Sequence, residues 1–217
     1  VPFAPNLADF RRRLLRWFRR RARPLPWRVT RDPYRVLVSE FMLQQTPVSR
    51  VLQYYDRFLR RYPTLHALAA ARAGAVREAW DGLGYYRRAS NLHRLAQAVV
   101  KQHDGRVPHD PESLIRLPGV GRYTAAAVRS FAYERRALPV DTNVARVLAR
   151  AFGVTRPHAA STRRRLARLE DRLLPRTGKG AWAFNQALMD LGATVCVARR
   201  PKCRECPVRG ECRFWKR

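Results

Sequence analysis

Leu114-Ile115-Arg116-Leu117-Pro118-Gly119-Val120-Gly121-Arg122-Tyr123-Thr124-Ala125-Ala126-Ala127 is the stretch that decides how this chain is read. A short helical pattern, Pro111–Arg116, stops at Leu117-Pro118, and a second begins near Thr124. Two glycines stand between them. Glycine accepts positive φ and carries no side chain, so the N–H groups of Gly119, Val120, Gly121 and Arg122 can face an anion at the start of the second helix. A tight helix–helix turn that binds nothing would use the same glycines, so the surroundings must decide.

Charge points the same way. Lys and Arg number 45 against 16 acidic residues, a net charge of +29. Only Lys101, Lys179, Lys202 and Lys216 are lysines. Codon choice in a GC-rich genome accounts for arginine over lysine, but not for the surplus itself. Such a surplus implies a polyanion, and nucleic acid fits better than a membrane surface or an acidic protein.

The apolar periodicity is helical nearly throughout. Phe10, Leu14, Trp17 and Phe18 form one stripe over Ala8–Arg21. Asp32-Pro33 reads as an N-cap with proline at the first helical position, opening Tyr34–Leu43, and Thr46-Pro47 reads as the same device opening Val48–Arg61. Further helices are expected at Leu65–Arg72, Gly74–Asp81, Arg87–Gln102, Thr124–Tyr133, Val144–Phe152, Ser161–Leu174 and Lys179–Leu191. No run alternates with period two, so the fold class is all-α. With 217 residues, 46% of them apolar, one large or two small domains can form a core. No run approaches the roughly 18 apolar residues of a membrane span, and the N-terminal stretch lacks the apolar segment of a signal peptide.

All four cysteines fall near the end, at Cys196, Cys203, Cys206 and Cys212. Four thiols at this spacing suit a tetrahedral zinc site or a four-thiolate iron–sulfur cluster better than two disulfides, and spacing alone leaves zinc and cluster open. The five histidines, His66, His93, His103, His109 and His158, share no ligand spacing and receive no role.

Two carboxylates stand in notable contexts. Glu40 interrupts the apolar run Val36-Leu37-Val38-Ser39-Glu40-Phe41-Met42-Leu43. Buried there, it would keep a proton at neutral pH and could donate it; on a polar stripe it would merely pair with an arginine. Asp141 precedes a helix, where an N-cap is the ordinary explanation.

Beyond single residues, the hairpin string and the cysteine spacing together resemble the helix-hairpin-helix DNA glycosylase superfamily that contains endonuclease III and the MutY-type adenine DNA glycosylases. The resemblance extends over nearly the whole chain. Leu25-Pro26-Trp27-Arg28, Ser39 to Thr46, Gly82-Leu83-Gly84-Tyr85-Tyr86, Val140 to Val144 and Phe184 to Ala193 look like the MutY group, and Met42-Leu43-Gln44-Gln45-Thr46 separates that group from endonuclease III.

The resemblance implies a six-helix domain at 25–135 and a [4Fe-4S] domain made of 1–24 and 136–217, with the active-site cleft between them. Cys196, Cys203, Cys206 and Cys212 would hold the cluster, with zinc the minor alternative, and Arg199, Arg200, Lys202, Arg204 and Arg209 would meet the DNA backbone. Glu40 would protonate N7 of adenine, and Asp141 would stabilise the sugar cation. Asn143 would orient sugar and water; Thr142, where many MutY proteins have glycine, is a minor departure. Tyr123 occupies the place where bifunctional members carry a Schiff-base lysine, so the reaction would be monofunctional hydrolysis. Trp27, Arg28, Leu43 and Gln186 would line the base pocket. Gln44, Gln45, Tyr85, Gly119, Val120, Gly121 and Arg122 would contact DNA, with Gln45 as wedge and Tyr85 beside the opposite base.

The implied function is removal of adenine mispaired with 8-oxoguanine or guanine, by a monomer in the bacterial cytoplasm associated with the nucleoid. MutY proteins usually continue into a domain that reads 8-oxoguanine, and this sequence stops at Arg217, either as part of a longer protein or because the lesion is recognised without that domain. The related thymine or uracil mismatch glycosylases are the enzymatic alternative, since they also carry tyrosine at this place. A non-catalytic mismatch-binding iron–sulfur protein is the remaining alternative, but it has no use for Glu40, Tyr123, Asp141 and Asn143 together.

Overall fold

A computed structural model describes residues 5–155 and 160–216. His158 and the chain ends Val1 and Arg217 lie outside the described residues. Among the described residues there are eleven α-helices and no strand, so the all-α reading holds. No described helix is long and apolar enough to cross a membrane.

The chain divides into two compact units, Pro24–Tyr133 and Val1–Arg23 with Glu134–Arg217. The first unit holds seven helices: α2 (Pro33–Leu43), α3 (Val48–Arg61), α4 (Leu65–Ala70), α5 (Ala73–Ala79), α6 (Arg87–Gln102), α7 (Pro111–Arg116) and α8 (Arg122–Phe131). At its centre is α2, buried from Val36 through Met42. A helix buried on successive residues must be surrounded, and α2 packs against α3, α6 and α8. Asp32 opens it by accepting the Tyr34 N–H at 2.8 Å. Trp27 meets the Tyr55 ring edge-on at 5.4 Å, and Trp80, fully buried, does the same to Phe58 at 5.6 Å.

One expected cap is corrected. Pro47, not Thr46, is the N-cap of α3, and no side chain caps that end. The Thr46 hydroxyl instead accepts from Arg88 at 2.9 Å, so a tertiary partner outcompetes the local one.

The other unit holds α1 (Leu7–Arg21), α9 (Thr142–Phe152), α10 (Ala160–Leu173) and α11 (Gly178–Thr194). Asn6 caps α1 by accepting from Ala8 and Asp9 at 3.0 and 3.1 Å. Phe10, Leu14 and Phe18 are buried as the stripe predicts, while Trp17 is only half-buried. Phe10 packs on Phe152 at 4.8 Å and on Phe184 at 6.5 Å, which joins α1 to α9 and α11 through one aromatic cluster. Asp190 of α11 is fully buried, and both of its oxygens bind Arg23, from Nε at 2.6 Å and from the backbone N–H at 3.1 Å. That pairing satisfies a carboxylate which would otherwise be costly to bury.

Candidate nucleic-acid interface and catalytic residues

The hairpin begins at Asp110, which caps α7 by accepting the Ser113 N–H at 2.8 Å. That bond holds its carboxyl below the usual carboxylate range. Leu117 N donates to Leu114 O and Val120 N to Leu117 O, each at 3.1 Å, closing the turn. Gly119 has φ +77°, and a Cβ there would lie 2.8 Å from Asn91 Cβ and 2.9 Å from Phe41 Cε1. The turn thus needs glycine for both conformation and space. Gly121 differs: its φ is −96°, and a Cβ there would meet nothing within 4 Å. No side chain caps α8, and Gly121 and Arg122 are exposed. An uncapped helix start beside open space, flanked by an exposed arginine, suits an anion.

Gln44, Gln45 and Tyr85 line one pocket with Tyr86, Arg87, Arg88 and Asn91, so the structure brings these three sequence candidates together. Gln45 is exposed with φ +57°, and Tyr85, 61% exposed, has φ +49°. Neither is glycine, so both sit in a left-handed conformation that ordinary residues avoid.

Glu40 is 5% exposed within α2, with Val38, Ser39, Phe41 and Met42 buried around it in sequence. Trp27 and Arg28 are buried in the short 3-10 turn Pro26–Arg28, while Leu43, at the end of α2, and Tyr123, in the first turn of α8, are half-buried. These residues all belong to the Pro24–Tyr133 unit.

Asp141, Asn143 and Gln186 belong to the other unit. Asp141 caps α9, its Oδ1 accepting the Val144 N–H at 2.7 Å, while its Oδ2 accepts from Asn143 Nδ2 at 3.1 Å. Asn143 Oδ1 in turn accepts from Arg146 at 2.7 Å, and Arg146 also donates to Gly192 O and Cys196 O, each at 2.7 Å. The carboxylate is thus the end of a hydrogen-bonded chain anchored on α11 and the segment after it. Gln186 is 5% exposed on α11.

Sequence reasoning missed Arg88 and Arg146, hidden among so many arginines. A signal existed for Arg88: it is in phase with the buried stripe Leu92, Leu95 and Val99 on α6.

The expected [4Fe-4S] cluster, and zinc in its place, are corrected. Among the described residues no group of three or more Cys, His, Asp or Glu side chains is arranged to hold a metal ion. The four cysteines are free thiols lining one pocket with Arg150 and Lys202. Burial pushes the Cys206 thiol up to about 12 and raises that of Cys212, which donates to Arg150 O at 3.6 Å. Cys196, Cys206 and Cys212 pack against the apolar core of this unit.

Residues 38–171 match the family described as HhH-GPD superfamily base excision DNA repair protein. The chain is 50% identical over 197 residues to the adenine DNA glycosylase of Mycobacterium tuberculosis, covering 90% of this chain and 64% of that protein. It is 47% identical over 202 residues to the adenine DNA glycosylase of Mycolicibacterium smegmatis, covering 93% of this chain and 68% of that one. Among solved structures, a thermostable thymine-DNA glycosylase matches with TM-score 0.88 and 33% identity, over 97% of this chain and 96% of the other. The chain belongs to the HhH-GPD superfamily and, within it, to the adenine DNA glycosylase family. This bears out the resemblance read from the sequence, over a span shorter than the mycobacterial relatives.

Proposed function

We propose that this chain hydrolyses the N-glycosidic bond of adenine mispaired with 8-oxoguanine or guanine in duplex DNA, as a monofunctional glycosylase. Burial of Glu40 inside an apolar helix carries this reading, supported by the kinship to adenine DNA glycosylases and a net charge of +29. The start of α8 would grip a backbone phosphate while Gln45 fills the space of the extruded base and Tyr85 rests beside its partner. Trp27, Arg28, Leu43 and Gln186 would receive the adenine. Glu40 gives its proton to N7, and the C1′–N9 bond breaks with its electron pair passing to the base. Asp141 and Tyr123 stabilise the resulting sugar cation, and Asn143 orients the water. Water oxygen bonds to C1′ and its proton returns to Glu40, leaving free adenine and an abasic sugar. Tyr123 cannot form an imine, so no strand break follows. Such an enzyme would work as a monomer at the bacterial nucleoid, in the cytoplasm.

The test is base release from duplexes holding A opposite 8-oxoguanine, A opposite G, T opposite G and U opposite G. Release of adenine from the first two is expected, and Glu40→Gln should bind them while losing about 10²–10⁴-fold in rate. Release of thymine instead would favour the reading suggested by the thymine-DNA glycosylase likeness. Strand cleavage without alkali would overturn the monofunctional assignment.

A further inference from the structure

Arg88 ties together the two turns that carry Gln45 and Tyr85. It is 6% exposed on α6. Nη1 donates to Phe41 O at 3.1 Å, to Met42 O at 2.7 Å and to Gln44 O; Nη2 donates to Thr46 Oγ1 at 2.9 Å and to Leu83 O and Gly84 O, each at 3.0 Å. Phe41, Met42 and Gln44 lie at the C-terminal end of α2, where carbonyls lack helical partners and the helix dipole favours a cation. Leu83 and Gly84 form the turn leading into Tyr85, whose ring stands 5.3 Å from the same guanidinium. Arg50 grips that turn from its other end, binding Gly82 O at 3.0 and 2.9 Å. Left-handed φ at Gln45 and at Tyr85 persists only where surroundings impose it, and Arg88 contacts both turns.

We propose that Arg88 is a positioning residue that locks the Gln45 and Tyr85 turns into one preformed wedge for base extrusion. This rests on the adenine-release reading above. A planar fork with donors on two nitrogens can hold both turns at once, whereas a lysine ammonium cannot span them. The geometry also explains why Thr46 leaves its helix uncapped: its hydroxyl is one of the fork's acceptors.

Single-turnover adenine release separates this role from a general one. Wild type, Arg88→Lys and Thr46→Val are compared on A opposite 8-oxoguanine in intact duplex, and on the same pair flanked by mismatches that pre-melt the site. Arg88→Lys should lose about tenfold or more on intact duplex, the scale of one charged hydrogen bond, and less than about threefold on the pre-melted substrate. Thr46→Val, which removes one acceptor, should move the same way by less. Equal losses on both substrates, or none on intact duplex, would overturn the proposal. If circular dichroism shows Arg88→Lys unfolded, Thr46→Val decides by the same criterion. If wild type releases no adenine, the adenine reading fails visibly and without any variant. Extrusion is then followed by the fluorescence of 2-aminopurine in place of adenine, and an unchanged rise with Arg88→Lys would overturn the positioning role.

Discussion

Asn143 holds Asp141 by donating from Nδ2 to Oδ2 across 3.1 Å, while the other carboxylate oxygen caps α9. One side chain therefore combines a structural duty with the charge that the proposed reaction needs, and the two are separable. Asp141→Asn keeps a capping oxygen, since asparagine caps as well as aspartate, but removes the charge and the second acceptor that Asn143 uses. The thermal midpoint should stay within a few degrees of wild type while base release falls by about 10²–10³-fold, the scale of a lost electrostatic stabiliser. Asn143→Ala removes the hold together with the acceptor for Arg146, and a loss of about 10–100-fold in the same assay is expected. An Asp141→Asn variant that unfolds early yet keeps its rate would reverse this assignment.

Gly192 provides a second handle on the same chain of bonds. A Cβ at this position would come within 2.7 Å of Asn143 Cβ and 3.0 Å of Asn143 O. The helices α9 and α11 approach through this glycine, and its own carbonyl receives Arg146 at 2.7 Å. Gly192→Ala should therefore force the two helices apart. Urea unfolding is expected to show a loss of about 1–3 kcal/mol, the usual cost of overpacking. Base release should fall as well, because Asn143 and Arg146 move with the helices. A variant as stable as wild type would mean that the contact relaxes freely.

Asp110 gives stability a dependence on pH with a definite sign. Its carboxyl lies below the ordinary value of 3.8 because the Ser113 N–H binds its charged form. The unfolded chain then binds more protons than the folded one between the two values, so this contribution is present above the unfolded value and vanishes as pH falls through the folded one. Asp110→Asn can accept the same N–H but does not titrate. Urea midpoints measured between about pH 3 and 6 should fall less steeply on acidification for Asp110→Asn than for wild type. Parallel slopes would remove Asp110 from the acid response.

The helices were legible because their signals are local. The Asp32-Pro33 device, the Phe10, Leu14 and Phe18 stripe and the glycine punctuation each act within one turn of chain. Thr46 was misread for the complementary reason: a sequence cannot show that a distant arginine claims the hydroxyl its own helix would use. The cysteines share one pocket, yet among the described residues they form no group arranged to hold a metal ion, and the metal reading fell with that. Arg88 and Arg146 act mostly through backbone carbonyls, which every residue carries, so the types of their partners mark them only weakly. Glu40 stands between these cases: its apolar flanks fitted burial and a polar stripe alike, and the fold places it at 5% exposure.

The two hairpin glycines look alike in sequence and should fail differently when replaced. At Gly119 a methyl group meets Asn91 and Phe41 at 2.8 and 2.9 Å on a left-handed backbone. Conformational strain of about 1–2 kcal/mol and overpacking of about 1–3 kcal/mol then act together, so Gly119→Ala should unfold measurably earlier in urea. At Gly121 neither term applies, because φ is −96° and the space ahead is open. Gly121→Ala loses only the difference between glycine and alanine at an N-cap, under about 1 kcal/mol. Its added methyl group would nonetheless stand at the start of α8, where the proposed phosphate contact lies. DNA affinity should therefore drop for Gly121→Ala with stability nearly intact, and fluorescence anisotropy beside urea titration reads both quantities on the same protein. Undiminished affinity in Gly121→Ala would move the phosphate away from the start of α8.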